Sequence, residues 1–306
     1  MAGSPFKNKL ILNTTLYNMD DDLEVKKSPG KSWGRTGNKF FYSAFEENLY
    51  TLKPGIYKID INDNGMYYAE EINLNSDTLI TFDNNLITSI LQDINNFWNQ
   101  TDHFNDLHIL QKRGIMLEGP PGTGKSSLIT LICQDIINRG GVIFSVSGNI
   151  RIYIYFIKQM FRSLQPDTPV IFLLEDLDKL PNDFNTDLLE FLDGKNSINH
   201  ILTLVTSNNT TNIPKAFLRP GRIDKRYVIP ALNDKDRRDY FKFKGISDDK
   251  LDEWVSKTDG FSISQCKELI ISVFILDNNL DDTIQYLTTE KDTKDYTSIT
   301  HDIIFE

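Results

Sequence analysis

Residues 119–126 constrain the fold of this chain more than any other segment. They read GPPGTGKS and match the pattern G-x-x-x-x-G-K-[ST]. A short apolar stretch, residues 114–117, precedes them, and a helix-forming stretch, residues 126–139, follows. Glycines in such a loop let successive backbone N–H groups converge on phosphate oxygens, and the helix N-terminus adds the positive end of its dipole. The pattern therefore predicts a strand, a phosphate-binding loop and a helix in succession.

The loop side chains have distinct predicted roles toward a nucleotide. Lys125 is expected to reach the β and γ phosphates, and Ser126 is expected to bind Mg²⁺. The loop therefore implies a nucleotide and Mg²⁺ as ligands. Nucleotide contacts are expected from Gly119, Pro120, Pro121, Gly122, Thr123, Gly124, Lys125, Ser126 and Ser127.

Strands and helices alternate from about residue 112 to residue 230. Apolar strands are predicted at residues 142–146, 170–174, 201–206 and 227–229. Continuous apolar strands that alternate with helices indicate an α/β fold with a parallel sheet covered on both faces. After Pro230 the pattern is helical only, at residues 234–244, 248–257, 264–276 and 280–287.

The N-terminal part has a different pattern. Residues 55–61 and 66–72 flank the Asn- and Gly-containing segment 62–65, which predicts a β-hairpin. A helical stripe of apolar residues then runs from Ile87 to Trp98. We therefore predict three domains: an N-terminal β-containing cap or arm (1–80), an α/β core (81–230) and a C-terminal helical lid (231–306).

Acidic side chains follow the predicted strand at residues 170–174. Glu175 and Asp176 stand at its carboxyl end, the edge at which parallel sheets bind ligands. Beside a phosphate loop, this pair is expected to meet the phosphates that the loop holds. Capping of the strand is the alternative interpretation. Asp178, nearby, is a weaker candidate that could instead bind a loop.

Two further segments carry candidate catalytic groups, one with Asn208 and one with two arginines. Asn208 follows the strand at 201–206, where its amide could orient a water molecule, although Asn is also common in turns. Arg219 and Arg222 flank a Pro-Gly turn. Arginine suits the charge that develops on a γ-phosphate because its planar guanidinium stays protonated. Surface salt bridges are the alternative for both arginines.

Taken together, these motifs resemble the AAA+ ATPases over about residues 86–290. In that family GPPGTGKS is the Walker A loop, VIFLLED (170–176) the Walker B strand, TSN (206–208) the sensor-1 position and LRPGRID (218–224) the arginine-finger segment. TDLLEFLDG (186–194) looks like the helix after Walker B, and TDGFSISQCKELI (258–270) falls where the sensor-2 helix of the lid begins.

The resemblance implies a role for each candidate residue. Lys125, Ser126 and Glu175 would hold Mg-ATP, Asp176 would polarise water and Asn208 would position it. The arginines, Arg219 and Arg222, would reach the nucleotide of a neighbouring subunit. A homo-oligomeric ring, a hexamer or a heptamer, is implied.

Two departures from the usual family pattern make the chain resemble one particular branch of the AAA+ family. The acid pair reads Glu-Asp instead of Asp-Glu, and residues 148–161 contain no K-Y-V-G-like pore sequence. Both features resemble the branch of the mitochondrial Rieske-protein translocase, the assembly chaperone of the cytochrome bc complex. That branch's membrane anchor is not seen, so the chain looks like its soluble, anchor-free relatives.

Composition limits the partners. The 306 residues carry 33 Lys and Arg against 43 Asp and Glu, a net charge of −10, and no concentrated basic stripe. Nucleic acid is therefore an unlikely partner, and remodelling or translocation of a protein is the leading hypothesis. A nucleic-acid motor or loader, or a nucleotide-gated scaffold with low turnover, are the alternatives. Two cysteines and no long apolar run predict a soluble, cytoplasmic protein without an integral membrane segment.

Overall fold

The structure, a computed structural model, describes most of the chain between residues 9 and 292. The described residues are 9–10, 32–36, 38–43, 51–73, 85–179, 184–193, 198–209, 211 and 213–292. The chain divides into two compact units. The first comprises Met1–Gly119 and Lys125–Ile229, and the second comprises Pro120–Gly124 and Pro230–Glu306.

The strands of the first unit form one sheet. Those in the described ranges are β1 (Lys9–Leu10), β2 (Ser32–Thr36), β3 (Lys39–Ser43), β4 (Gly55–Ile61), β5 (Tyr67–Ile72), β6 (Lys112–Glu118), β7 (Val142–Ser145), β8 (Val170–Leu174), β9 (Ile201–Ser207) and β10 (Lys225–Val228). Their order is β1-β2-β3-β5-β4-β7-β8-β9-β6-β10. From β4 to β10 in this order all neighbours are parallel, which confirms the predicted parallel sheet.

Helices cover both faces of this sheet. They are α1 (Asn85–Asn99), α2 (Thr101–Asp106), α3 (Lys125–Asn138), α4 (Ile150–Tyr155) and α5 (Phe184–Asp193). A π-helical turn (Phe156–Phe161) and a last α-helical turn (Arg162–Leu164) extend α4. Side chains of β6 alternate between two buried clusters, with Ile115 and Leu117 in one and Met116 in the other. This alternation is expected of a strand buried on both faces.

The predicted hairpin at the N-terminal side is confirmed. β4 and β5 pair antiparallel, and Gly65 takes a φ of +75° in the turn between them. β4 also pairs in parallel with β7, so the hairpin extends the central sheet. A separate cap over residues 1–80 stays a prediction, and much of that range, including residues 11–31, lies outside the described residues.

The second unit is helical after Pro230, as predicted. Its helices are α6 (Asp234–Phe243), α7 (Asp248–Lys257), α8 (Ile263–Ile270), continued by a π-helical turn (Ile271–Ile275), and α9 (Leu280–Asp292). Phe241, Trp254 and Leu269 are buried in this unit. Capping boxes at Asn233 and Ser262 begin α6 and α8. In neither unit does a described helix have the length and apolar character that crossing a membrane requires.

Candidate functional site

Three neighbouring strands of the first unit, β6, β9 and β8, end at predicted site residues. The parallel register places the ends of β6 and β9 side by side, and the Gly119 N–H donates to the Ser207 carbonyl at 3.2 Å. A Cβ at position 119 would overlap the carbonyl oxygen of Ile229, so only glycine fits where the phosphate loop begins. Glu175 and Asn208 lie at the same edge because they directly follow β8 and β9.

Lys125 begins α3 and is 8% exposed. Its Nζ donates to the Gly119 carbonyl at 2.7 Å and to Asn208 Oδ1 at 2.8 Å. Desolvation lowers the pKa of this lysine, and the negative charges of Asp176 and Asp178 oppose that shift. The structure thus joins the phosphate-loop lysine to Asn208, a residue that lies 83 positions later in the sequence.

Asn208 also contacts the acid pair. Its Nδ2 donates to Asp176 Oδ1 at 3.0 Å, while its Oδ1 accepts from Lys125. Only this amide orientation satisfies both an ammonium donor and a carboxylate acceptor. Asp176 has a φ of +53°, an uncommon conformation for a residue other than glycine, and its N–H donates to Thr206 Oγ1 at 3.0 Å. Lys179 Nζ contacts the second oxygen, Asp176 Oδ2, at 2.7 Å.

Glu175 is exposed at the end of β8. Desolvation raises the pKa of Glu175, and the neighbouring charge of Asp176 raises it further. Burial, with a contribution from the Glu175 charge, raises the pKa of the Cys133 thiol on α3 to about 12.

The oxygen atoms that could act as metal ligands at this edge suit magnesium. Ser126 is exposed at the start of α3, and Glu175 is exposed beyond β8. Mg²⁺ binds hard oxygen ligands, commonly one or two from the protein, and completes its shell with phosphate oxygens and water. A hydroxyl and a carboxylate at the phosphate-binding edge match that requirement.

Asp178 binds the end of β9 in its own unit. Its Oδ1 accepts from Ser207 Oγ at 3.0 Å and from the Asn208 N–H at 3.1 Å. It therefore fixes the backbone that carries Asn208, which agrees with the loop-binding alternative from the sequence. The contacts of Thr206 and Lys179 with Asp176 were not predicted from the sequence. The Lys179 contact could have been anticipated, because a spacing of three residues brings two side chains together across a helical turn.

The two candidate arginines differ in their surroundings. Arg222 makes a two-pronged contact with the Asp193 carboxylate at the end of α5, and its Nη1 donates to the Ala216 carbonyl at 2.6 Å. The hydrogen bond with Asp193 raises the pKa of Arg222, whose side chain is 13% exposed. Arg219 is exposed, and it takes part in none of the ion pairs found among the described residues. Arg219 is thus the arginine available to a second molecule.

The second unit contains a cavity of about 310 Å³. Thr123 Oγ1 donates to the Pro120 carbonyl at 3.0 Å, and the Ile263 N–H at the start of α8 donates to the Gly122 carbonyl at 2.8 Å. The predicted phosphate-loop residues in this unit therefore line a space large enough for part of a ligand. The lining residues are Pro120, Pro121, Gly122, Thr123, Ala231, Gly260, Ser262, Ser264, Gln265 and Leu287.

Comparison with known proteins identifies the domain that carries this site. Residues 115–231 match the family model described as "ATPase family associated with various cellular activities (AAA)". The chain is 30% identical over 183 residues to the cell division cycle protein 48 homolog of Archaeoglobus fulgidus, an alignment that covers 52% of this chain and 24% of that protein.

Two other curated relatives have related descriptions. The ATP-dependent zinc metalloprotease FtsH 2 of a Thermoanaerobacter species is 28% identical over 70% of this chain and 44% of its own length. The 26S proteasome regulatory subunit 6B homolog of Saccharomyces cerevisiae is 25% identical over 45% of this chain and 36% of its own length. The chain thus spans less than half of the length of each of these relatives.

Proposed function

We propose that this chain, whose residues 115–231 form an AAA ATPase domain, hydrolyses ATP with magnesium and uses the energy to remodel or translocate a protein partner. The observation that carries the proposal is the connected set Lys125, Asn208 and Asp176, which joins a phosphate-loop cation to a carboxylate through one amide. Phosphoryl transfer depends mainly on positioning and on compensating charge, and this set supplies both.

Each residue has a role in the proposed reaction. Lys125 compensates negative charge on the β and γ phosphates, and Ser126 and Glu175 hold the magnesium ion, which would neutralise phosphate charge when bound. Asp176 polarises the attacking water, and Asn208 orients that water and the carboxylate. The exposed position of Glu175 and the buried position of Lys125 suit these roles, because the first must reach an ion and the second must act in a region of low dielectric.

The cavity in the second unit suits the nucleoside part of ATP. Its lining combines apolar groups, such as Pro121, Ala231 and Leu287, with the hydroxyls of Ser262 and Ser264. Small-molecule sites are typically apolar concavities with a few polar groups that fix orientation. We assign adenosine to this cavity.

A protein partner is favoured over nucleic acid by the relatives and by charge. Two of the relatives described above are named as a metalloprotease and as a proteasome subunit, and this chain carries a net charge of −10. We further propose a homo-oligomeric ring, a hexamer or a heptamer. The order Glu175-Asp176 supports placement in the branch of the Rieske-protein translocase.

Asp176→Asn is expected to bind ATP and to hydrolyse it about 10² to 10⁴ times more slowly than the parent protein, the usual contribution of a group that acts on a proton or water. The amide keeps the shape of the carboxylate but cannot accept a proton. Phosphate release with and without Mg²⁺, together with binding of a fluorescent ATP analogue, measures both effects. Asp60→Asn, on the exposed side of β4, is the matched control.

Unchanged turnover in Asp176→Asn would move the role to another acid, with Glu175 tested next. A parent protein that binds ATP but releases no phosphate would support the low-turnover scaffold instead of the proposed ATPase.

DNA and RNA are expected to bind no more tightly than about 10⁻⁴ to 10⁻⁶ M at physiological salt, with affinity that falls steeply as salt increases. The reason is the acidic balance of the chain. Fluorescence anisotropy with single- and double-stranded oligonucleotides checks this prediction. Nanomolar, salt-resistant binding, or an ATPase rate stimulated by nucleic acid, would favour the nucleic-acid motor.

A further inference from the structure

Both oxygens of the Asp176 carboxylate are engaged in the first unit. Asn208 Nδ2 lies 3.0 Å from Oδ1, and Lys179 Nζ lies 2.7 Å from Oδ2. A water molecule activated by this carboxylate has to approach one of the two oxygens at a similar distance. The ammonium of Lys179 occupies such a position, so it competes with the water for Asp176.

The contact between Lys179 and Asp176 is local and easily broken. A 3₁₀ turn (Leu177–Lys179) directly follows Asp176, and the Lys179 N–H donates to the Asp176 carbonyl at 2.8 Å. The lysine and aspartate side chains are 65% and 41% exposed. An exposed ion pair biases an equilibrium by no more than about fivefold, so the contact restrains Asp176 without trapping it.

Asn208 connects this ion pair to the phosphate loop. Its backbone N–H is held by Asp178, and its amide bridges Lys125 and Asp176. Asn208 thus holds Oδ1 of Asp176 in place, and Oδ2, which Lys179 contacts, is the oxygen for which the water competes.

We propose that Lys179 is a positioning residue that restrains Asp176 and competes with the attacking water for its carboxylate. The inference rests on the proposed ATP hydrolysis. It assigns to Lys179 a control over the rate of the chemical step that is separate from affinity for ATP.

Lys179→Gln is expected to raise kcat about two- to fivefold, the limit set by the strength of an exposed ion pair, with KM unchanged. Lys179→Arg, which keeps the charge, should behave like the parent. Because salt screens exposed charges, raising ionic strength should increase the kcat of the parent more than that of Lys179→Gln. Lys58→Gln, an exposed position on β4, is the matched control.

A lower or unchanged kcat for Lys179→Gln, measured beside an active parent, would overturn the inference while leaving the proposed ATPase intact. An inactive parent that binds no nucleotide contradicts the proposed function itself.

Discussion

Lys125→Ala is expected to abolish ATP binding and, with it, all turnover. Removal of the ammonium leaves the β and γ phosphates without their compensating charge in a partly desolvated loop, where charge interactions are stronger than in water. It also removes the donor to the Gly119 carbonyl and to Asn208 Oδ1. Titration with a fluorescent ATP analogue, beside phosphate release, measures both losses.

Folding of this variant needs its own check because Lys125 is buried at the start of α3. The circular dichroism spectrum without nucleotide should resemble that of the parent. The melting temperature should fall only slightly, because loss of the donor to Gly119 and Asn208 is offset by removal of a charge that is costly to bury. ATP should raise the melting temperature of the parent only, because a ligand stabilises the state that binds it. Lys58→Ala is the surface control, and parent-like affinity in Lys125→Ala would contradict the phosphate-loop assignment.

Arg219→Ala is expected to lower kcat by about 10³ to 10⁵, the value of an arginine finger in other nucleotide hydrolases. Arg219 is exposed and therefore open to a neighbouring subunit in the proposed ring, whereas Arg222 would first have to leave Asp193 and the Ala216 carbonyl. Arg222→Ala should therefore lower thermal stability, since it leaves those partners without their donor. Steady-state ATPase rates and melting temperatures of the two variants separate the roles.

Mixing experiments test whether Arg219 acts in a second subunit. A Lys125→Ala subunit keeps Arg219, and an Arg219→Ala subunit keeps its phosphate loop. Two inactive variants that exchange subunits should regain turnover at interfaces that combine the intact halves. An active monomer by light scattering, with no recovery on mixing, would exclude catalysis between subunits. If Arg222→Ala has almost no ATPase activity and Arg219→Ala remains active, the proposed roles of the two arginines are exchanged.

The sequence alone was enough to predict the parallel sheet and the edge of it at which Glu175 and Asn208 lie. An uninterrupted apolar strand such as β8 is typical of a sheet covered by helices on both faces, so the pattern and the fold agree. The phosphate-loop pattern predicted the start of α3, because its glycines and Lys125 can bind phosphate only where the loop connects a strand to the start of a helix. The four helices after Pro230 were likewise predicted from the sequence, with breaks at Gly245 and Gly260.

The contacts between side chains at the site could not be read from the sequence. Lys125 and Asn208 are 83 positions apart, and their hydrogen bond exists because β6 and β9 are neighbours in the sheet. The pairing of β8 with β9 likewise brings Asp178 to the end of β9. No local pattern encodes which strands become neighbours, since that depends on packing of the whole core.

The sequence by itself therefore determined the chemistry available to this protein: a phosphate loop, an acid pair, an amide and two arginines in a fixed order. Only the tertiary structure decided which partners these groups contact and which of them stay exposed. It placed Arg222 against Asp193 and left Arg219 exposed, although both flank the same turn. The physical reason is that short-range patterns set backbone conformation and burial, whereas the partner of a charged side chain depends on which distant residue packing brings within hydrogen-bond distance.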